Sequence, residues 1–163
     1  MRKIYVFAIA LLCSIGLSAQ DFGIGVSGSY LTELEGFGGT AELIYNIDEN
    51  WGASTSFTYA VADAENIRSK WSIVDLNARY NVIDGFYVLA GGQYLSVNLR
   101  ELGLGGGNPV STERTLSESE FGFQAGAGYI YNLADNVNLF AEIRYASVNT
   151  GYVHGKLGIL FDL

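Results

Sequence analysis

Three copies of one short sequence decide the fold. They are YNIDENW at residues 45–51, YNVIDGF at residues 80–86 and YNLADNV at residues 131–137. Each copy contains Tyr-Asn and an aliphatic residue, then three turn-forming residues, then a large apolar residue. The last turn residue is Asn50, Gly85 or Asn136, and these residue types tolerate the left-handed backbone that closes a three-residue hairpin. The predicted hairpins pair Ile47 with Trp51, Val82 with Phe86, and Leu133 with Val137. Three hairpins account for six strands.

Two flanking segments supply the remaining strands. Residues 22–30 and 156–163 alternate apolar with small or polar residues, apart from Leu160, and this period of two is typical of half-buried strands. No segment has a convincing helical period. The sequence therefore predicts an all-β chain, an eight-stranded antiparallel up-and-down β-barrel. The predicted strands are 21–31, 37–47, 51–61, 70–82, 86–97, 119–133, 137–147 and 152–163.

The amino terminus has the pattern of a secretory signal. Arg2 and Lys3 precede an apolar run over 4–12, and small residues follow up to Ala19. The run is too short for a membrane-spanning helix. A lipoprotein would need a small residue before Cys13, where Leu12 stands. We therefore predict a cleavable signal peptide over 1–20, with the cut after Ala19 or Gln20, and a single barrel domain over 21–163.

Composition excludes one class of partner. The chain has 21 glycines, 13% aromatic residues and one proline, a combination that suits closely packed, curved strands. Its net charge is −8, and removal of residues 1–20 lowers it to −10. Because seven basic residues face 17 acidic ones in the predicted mature chain, we expect no nucleic-acid partner.

The two faces of the strands predict a membrane barrel. In residues 40–45, for example, Ala41, Leu43 and Tyr45 alternate with Thr40 and Glu42. Small polar residues suit the narrow interior of an eight-stranded barrel, which places the apolar face outside. Aromatic residues near both ends of that face indicate two membrane girdles. A soluble secreted ligand-binding barrel, with the apolar face inside, is the alternative. In the fifth strand, near residues 91–94, the sequence does not show which side chains face inward and which face outward.

The unequal loops predict the orientation. The three short turns would face the periplasm, and the longer connections over 32–36, 62–69, 98–118 and 148–151 would face outward. The third is the longest. It contains four glycines and Pro109, so we expect it to be mobile.

Several charged residues fall on the predicted interior face. They are Glu42, Asp75, Arg79, Glu142, Arg144, Lys156 and Asp162. A last hairpin turning near residue 149 places Glu142 opposite Lys156 and Arg144 opposite His154. Charges in a narrow lumen must be paired, since an unpaired one costs roughly 3–5 kcal/mol. We interpret this interior charge network as a structural plug. A narrow passive pore is the alternative, although eight strands leave little room for one.

The carboxy-terminal octapeptide KLGILFDL over 156–163 carries a specific resemblance. Its order of a polar residue, Gly, an aromatic and a final apolar residue (Lys156, Gly158, Phe161 and Leu163) resembles the assembly signal of the small outer-membrane barrels typified by OmpX, the opacity proteins and the transmembrane domain of OmpA. That family usually ends in Phe, whereas this chain ends in Leu163. The resemblance covers the whole predicted mature length. It implies location in the cell outer membrane and insertion by the barrel-assembly machinery.

The functional hypotheses differ in what the chain does in that membrane. The first is a non-enzymatic barrel that acts as a structural or surface-interaction protein, with outer-membrane lipid, lipopolysaccharide and a host or surface ligand at the loops as partners. The second is a lipid A-modifying enzyme that uses His154 near the outer rim, with Ser147 across the hairpin. One histidine and scattered serines are weak evidence for a catalytic site. We predict no catalytic residue, cofactor or metal site.

Overall fold

A computed structural model describes residues 22–64, 67–101, 115–148 and 150–163. These residues form eight strands in one closed antiparallel barrel, which confirms the predicted fold class. The predicted signal peptide over 1–20 and most of the long third connection lie outside the described residues. Within the described ranges, no helix is long and apolar enough to cross a membrane. The strands are β1 (Phe22–Leu31), β2 (Gly36–Asn46), β3 (Trp51–Ala64), β4 (Ile67–Ile83), β5 (Phe86–Glu101), β6 (Thr115–Ala134), β7 (Val137–Ala146) and β8 (Tyr152–Asp162).

Every strand pairs with its sequence neighbours, and β1 pairs with β8 to close the barrel. The closing seam runs from Gly23 opposite Asp162 to Leu31 opposite His154. The last hairpin has the predicted register, with Glu142 opposite Lys156 and Arg144 opposite His154. Closure leaves no strand edge within the membrane, where an unpaired backbone group would have no water to bind.

The three short turns form where the repeats predict them, but two are tighter than expected. Ile83 pairs with Phe86 and Ala134 pairs with Val137, so Val82 and Leu133 lie at register shifts and do not face the predicted partners. The residues that allow this are Gly85 and Asn136, with φ of 74° and 63°. Both positive values close a turn of two residues.

The first turn closes by a different means. The Ile47 N–H donates to the Trp51 carbonyl at 2.8 Å, which confirms the predicted pair. Asn50 does not have a positive φ, contrary to the prediction. Instead the Asp48 carboxylate accepts hydrogen bonds from the backbone N–H groups of Asn50 at 2.8 Å and Trp51 at 2.7 Å. These bonds, with the one from Trp51 the stronger, lower the pKa of Asp48, so the turn stays capped at neutral pH.

The apolar face lies outside, as predicted. Aromatic pairs mark both ends of this face: Phe22 with Tyr45 and Trp51 with Tyr80 at the end of the short turns, and Tyr30 with Phe37 and Tyr94 with Phe121 at the other. Ring centroids within these pairs are 4.9–6.2 Å apart. The exposed apolar band between two girdles is the arrangement that places a barrel in an outer membrane.

Strands β3 to β6 are longer than predicted. Pairing of β3 with β4 continues to Ala64 opposite Ile67, and pairing of β5 with β6 continues to Arg100 opposite Thr115. At the outer end of β5 the apolar residues Val97 and Leu99 line the mouth of the lumen and polar residues alternate with them, so the sequence lacks the outward apolar face that identifies a membrane strand. The ladder continues because extended pairing satisfies the backbone groups whatever the polarity of the side chains.

Candidate functional site

A charged layer crosses the middle of the lumen. The structure brings together six of the seven predicted interior charges: Glu42, Asp75, Arg79, Glu142, Arg144 and Lys156. Each is at most 5% exposed. Arg144 on β7 is the centre of the layer. It pairs with Glu142 on its own strand, with Asp75 on β4 at 3.1 Å and with Glu42 on β2 at 3.5 Å. One guanidinium therefore joins three walls of the barrel.

The other two cations bind the same carboxylates. Lys156 Nζ lies 3.2 Å from Glu42 and 3.5 Å from Glu142. Arg79 lies 3.8 Å from Glu42 and stacks on the Tyr87 ring at 3.9 Å. Three cations and three carboxylates thus balance in a buried site. Asp162 is not part of this layer, because it is exposed at the end of β8 and accepts a hydrogen bond from the Asn138 amide at 2.7 Å.

Neutral donors bind two of the three carboxylates of the charged layer. Tyr87 donates to Glu142 at 2.8 Å, and Ser56 and Gln93 each donate to Asp75 at 2.9 Å. Tyr87 and Gln93 were not predicted as interior residues, because both lie on β5, where the phase is ambiguous in the sequence. Satisfied buried carboxylates are the condition for a stable ionic interior.

Apolar layers lie on both sides of the charges. The outer layer comprises Leu31, Leu34, Ala60, Trp71, Ile73, Leu95, Ala146, Val148 and Tyr152. The rings of Trp71 and Tyr152 meet edge to face at 5.5 Å, and the Tyr152 hydroxyl donates to Gln93 at 2.7 Å. The inner layer comprises Ile44, Phe140 and Leu160. Neither layer was predicted from the sequence, although the break in alternation at Leu160 was a signal of an apolar residue turned inward.

His154 does not lie at an accessible rim. It is fully buried in the lumen, and both ring nitrogens lack a hydrogen bond to any described residue. The Ser147 hydroxyl instead donates to the Phe123 carbonyl at 3.0 Å. The structure therefore does not bring His154 and Ser147 together as the alternative hypothesis of an enzyme requires. Nor do the described residues include a group of three or more His, Cys, Asp or Glu arranged to hold a metal ion.

The extended strands form a sheet that rises beyond the rest of the barrel. β6 begins at Thr115, but its pairing with β7 begins only at Gln124 opposite Ala146. One further contact, from the Ser147 N–H to the Phe123 carbonyl at 2.8 Å, ends that ladder. Among the described residues, no strand covers the remaining edge of β6 over 115–122. At about 3.4 Å per residue, this edge is roughly 27 Å long.

The comparison with protein families decides the assignment. The sequence matches the family model of the outer membrane protein β-barrel domain over residues 7–158. The chain belongs to this family. The protein is located in the cell outer membrane. That its short turns face the periplasm, as they do in such barrels, stays a prediction. No curated protein sequence matches the chain.

Solved outer-membrane barrels share the fold. The chain aligns with Ail, the attachment invasion locus protein of Yersinia pestis, at 18% identity and a TM-score of 0.58, over 86% of this chain and 95% of Ail. It aligns with Neisserial surface protein A at 18% identity and a TM-score of 0.57, over 91% of this chain and 99% of that protein. It aligns with a major outer membrane protein of Thermus thermophilus at 14% identity and a TM-score of 0.69, over 86% of this chain and 97% of that protein. At these identities the likeness shows a common architecture.

The carboxy-terminal strand of this outer-membrane barrel gives its motif a structural reason. Lys156 belongs to the charged layer. Gly158 faces inward at the closing seam, where a Cβ would overlap the Val26 carbonyl and the Ser27 side chain. Phe161 and Leu163 are 43% and 53% exposed at the end of the barrel that carries the short turns. Recognition of these residues by the barrel-assembly machinery stays a prediction.

Proposed function

We propose that this outer-membrane barrel is a non-enzymatic surface-interaction protein with a plugged lumen. The observation that carries the proposal is the uncovered edge of β6, which extends from the aromatic girdle at Phe121 away from the membrane. An open strand edge presents a row of backbone donors and acceptors, and an extended segment of another protein binds such a row by adding a strand.

The hydrogen-bonding direction of β6 identifies the groups involved. The N–H and carbonyl of Phe123 both face Ser147 on the β7 side, whereas the Ile130 N–H donates to Gly85 next to β5. Residues of an antiparallel strand alternate between their two neighbours. The backbone groups of Ser117, Ser119 and Phe121 therefore point toward the uncovered edge.

The charge of the edge favours a basic partner. Glu118 and Glu120 are exposed on this stretch of β6, and Glu33 lies close to them across the mouth of the barrel. Ail has been solved in complex with a heparin analogue, sucrose octasulfate, which is a polyanion. The acidic edge of this chain would repel such a ligand. An extended segment rich in lysine or arginine fits it instead.

The layers of the lumen support a plug over a pore. An ion crossing the barrel would have to displace the Trp71–Tyr152 pair, separate the pairs around Arg144 and then pass Phe140. Each of these groups is buried and packed. A group of ions held in place by three strands favours rigidity over conduction.

The position of His154 supports a non-enzymatic role. A lipid-modifying site must open to the membrane surface, whereas this side chain faces Leu31 and Arg144 across the seam and the last hairpin inside the lumen. The outward apolar band is the surface that contacts lipid. The acidic loops would meet lipopolysaccharide phosphates through bridging divalent cations.

A proline variant tests the proposed edge. In lipid nanodiscs, we expect an alternating lysine–threonine peptide to protect the Ser119 and Phe121 amides from hydrogen exchange. Ser119→Pro removes one donor that faces the uncovered edge and leaves the bonds to β5 intact, so it should abolish the protection of the remaining Phe121 amide. Ser119→Ala keeps the N–H and should bind as the native chain does. Equal binding by both variants, or equal protection by a glutamate–threonine peptide, would contradict the proposal.

A further inference from the structure

A cavity of about 830 Å³ opens at the periplasmic end of the barrel. The first two short turns and the adjoining ends of every strand except β5 form its wall, and the apolar residues Ile44 and Leu160 line part of it. Its size lies within the roughly 300–1,000 Å³ of small-molecule sites. It faces the opposite side of the membrane from the β6 edge, so a ligand here is independent of the proposed surface interaction.

Arg79 lies at the inner end of this periplasmic cavity. It is 4% exposed and lines the cavity wall. Its ion pair with Glu42 is long, at 3.8 Å, and one face of the guanidinium stacks on Tyr87. Its Nη1 makes no hydrogen bond to any described residue, and neither does Glu42 Oε1, which it faces at 3.8 Å. A buried guanidinium with an unused donor is a site for a carboxylate or phosphate oxygen.

The rim of the cavity has the opposite charge. The carboxylates of Glu49, Asp84 and Asp162 are exposed there. The side-chain amide of Asn138, 5% exposed, also lines the cavity and donates to Asp162 at 2.7 Å. The cavity thus has a guanidinium, paired with Glu42, at its inner end and carboxylates at its mouth.

This order of charges selects the ligand. A simple anion would be repelled at the mouth, and a simple cation would meet Arg79 inside. A molecule with a carboxylate at one end and an ammonium at the other satisfies both ends. We propose that the periplasmic cavity binds a zwitterionic amino acid or short peptide, with its carboxylate on Arg79 and its ammonium among the rim carboxylates.

Titration with a dipeptide tests this site. The mature chain in nanodiscs is titrated with alanyl-alanine while the Arg79 side-chain N–H and the Gly85 amide are followed by NMR. We expect the chemical shifts of both the Arg79 side-chain N–H and the Gly85 amide to change with dipeptide concentration and to reach saturation. Alanyl-alanine amide lacks the carboxylate, and N-acetyl-alanyl-alanine lacks the ammonium, so each should bind at least roughly tenfold more weakly.

Variants of the protein distinguish recognition of the ligand's carboxylate from recognition of its ammonium group. Arg79→Gln should lose binding of alanyl-alanine, whereas Lys70→Gln, which removes one cation at the extracellular end, should keep it. Asp162→Asn should weaken alanyl-alanine but leave the acetylated peptide unchanged. A boiled-against-unboiled gel shift verifies that each variant is folded. Equal binding of the amide, no saturation, or inorganic phosphate binding as tightly as the dipeptide would each overturn the proposal.

Discussion

Replacing Arg144 with methionine is expected to lower the free energy of unfolding by roughly 3–5 kcal/mol. The substitution keeps most of the side-chain volume but removes the cation that joins Glu42, Asp75 and Glu142. Asp75 then keeps its hydrogen bonds from Ser56 and Gln93 but has no ion pair among the described residues. Urea unfolding in lipid vesicles, followed by tryptophan fluorescence, measures the loss.

A second substitution separates charge from packing in that experiment. Asp75→Asn combined with Arg144→Met restores the balance of charge, and an asparagine can still bond to Ser56 and Gln93. The double variant should therefore be more stable than Arg144→Met alone. Lys70→Met, near the end of the barrel opposite the short turns, should change stability by about 0.5 kcal/mol or less. A loss below about 1 kcal/mol for Arg144→Met, or no rescue by Asp75→Asn, would contradict a charged layer that stabilises the barrel.

Replacing Gly158 with valine is expected to abolish the folded barrel. A β-carbon at this position overlaps the Val26 carbonyl and the Ser27 side chain, both part of the opposite strand of the closing seam. Because backbone cannot yield as a flexible side chain does, β1 and β8 could not pair there. Refolding of purified chain into detergent, without any assembly factor, should give no species that migrates differently before and after boiling.

Gly28 provides the matched control on the same seam. It lies on β1 opposite Leu157, and a β-carbon added there meets nothing within 4 Å. Gly28→Val should refold as the native chain does. If Gly158→Val also refolds normally in detergent but fails to assemble in cells, the glycine serves recognition by the assembly machinery, and the steric explanation is wrong.

The strand count and the outward face could be predicted from sequence because each depends on local chemistry. The repeated turns at 45–51, 80–86 and 131–137 fix the hairpins, and polar–apolar alternation fixes the faces. Details of the turns could not be predicted. Asn50 has the right chemistry for a left-handed residue, but the Asp48 carboxylate caps that turn instead.

The apolar layers inside the lumen could not be predicted from the sequence, for a physical reason. In a membrane barrel an apolar residue is stable facing lipid or packed inside, so hydrophobicity alone does not assign Ile73 or Leu95 to the lumen. The outer ends of β5 and β6 resemble a loop in sequence because the residues that face away from the lumen there, such as Asn98 and Ser119, are polar. The unused donor of Arg79 depends on where Glu42 and Tyr87 lie in three dimensions.

The most direct test of the closed, lipid-facing barrel is the migration of the cellular outer-membrane fraction in SDS gels, boiled against unboiled. A closed barrel with its apolar band in lipid resists SDS until it is heated. We therefore predict a single outer-membrane band whose mobility changes only after boiling. Recovery of the protein in a soluble fraction without detergent, or a band that boiling does not shift, would contradict the closed barrel and the outward orientation of its apolar face.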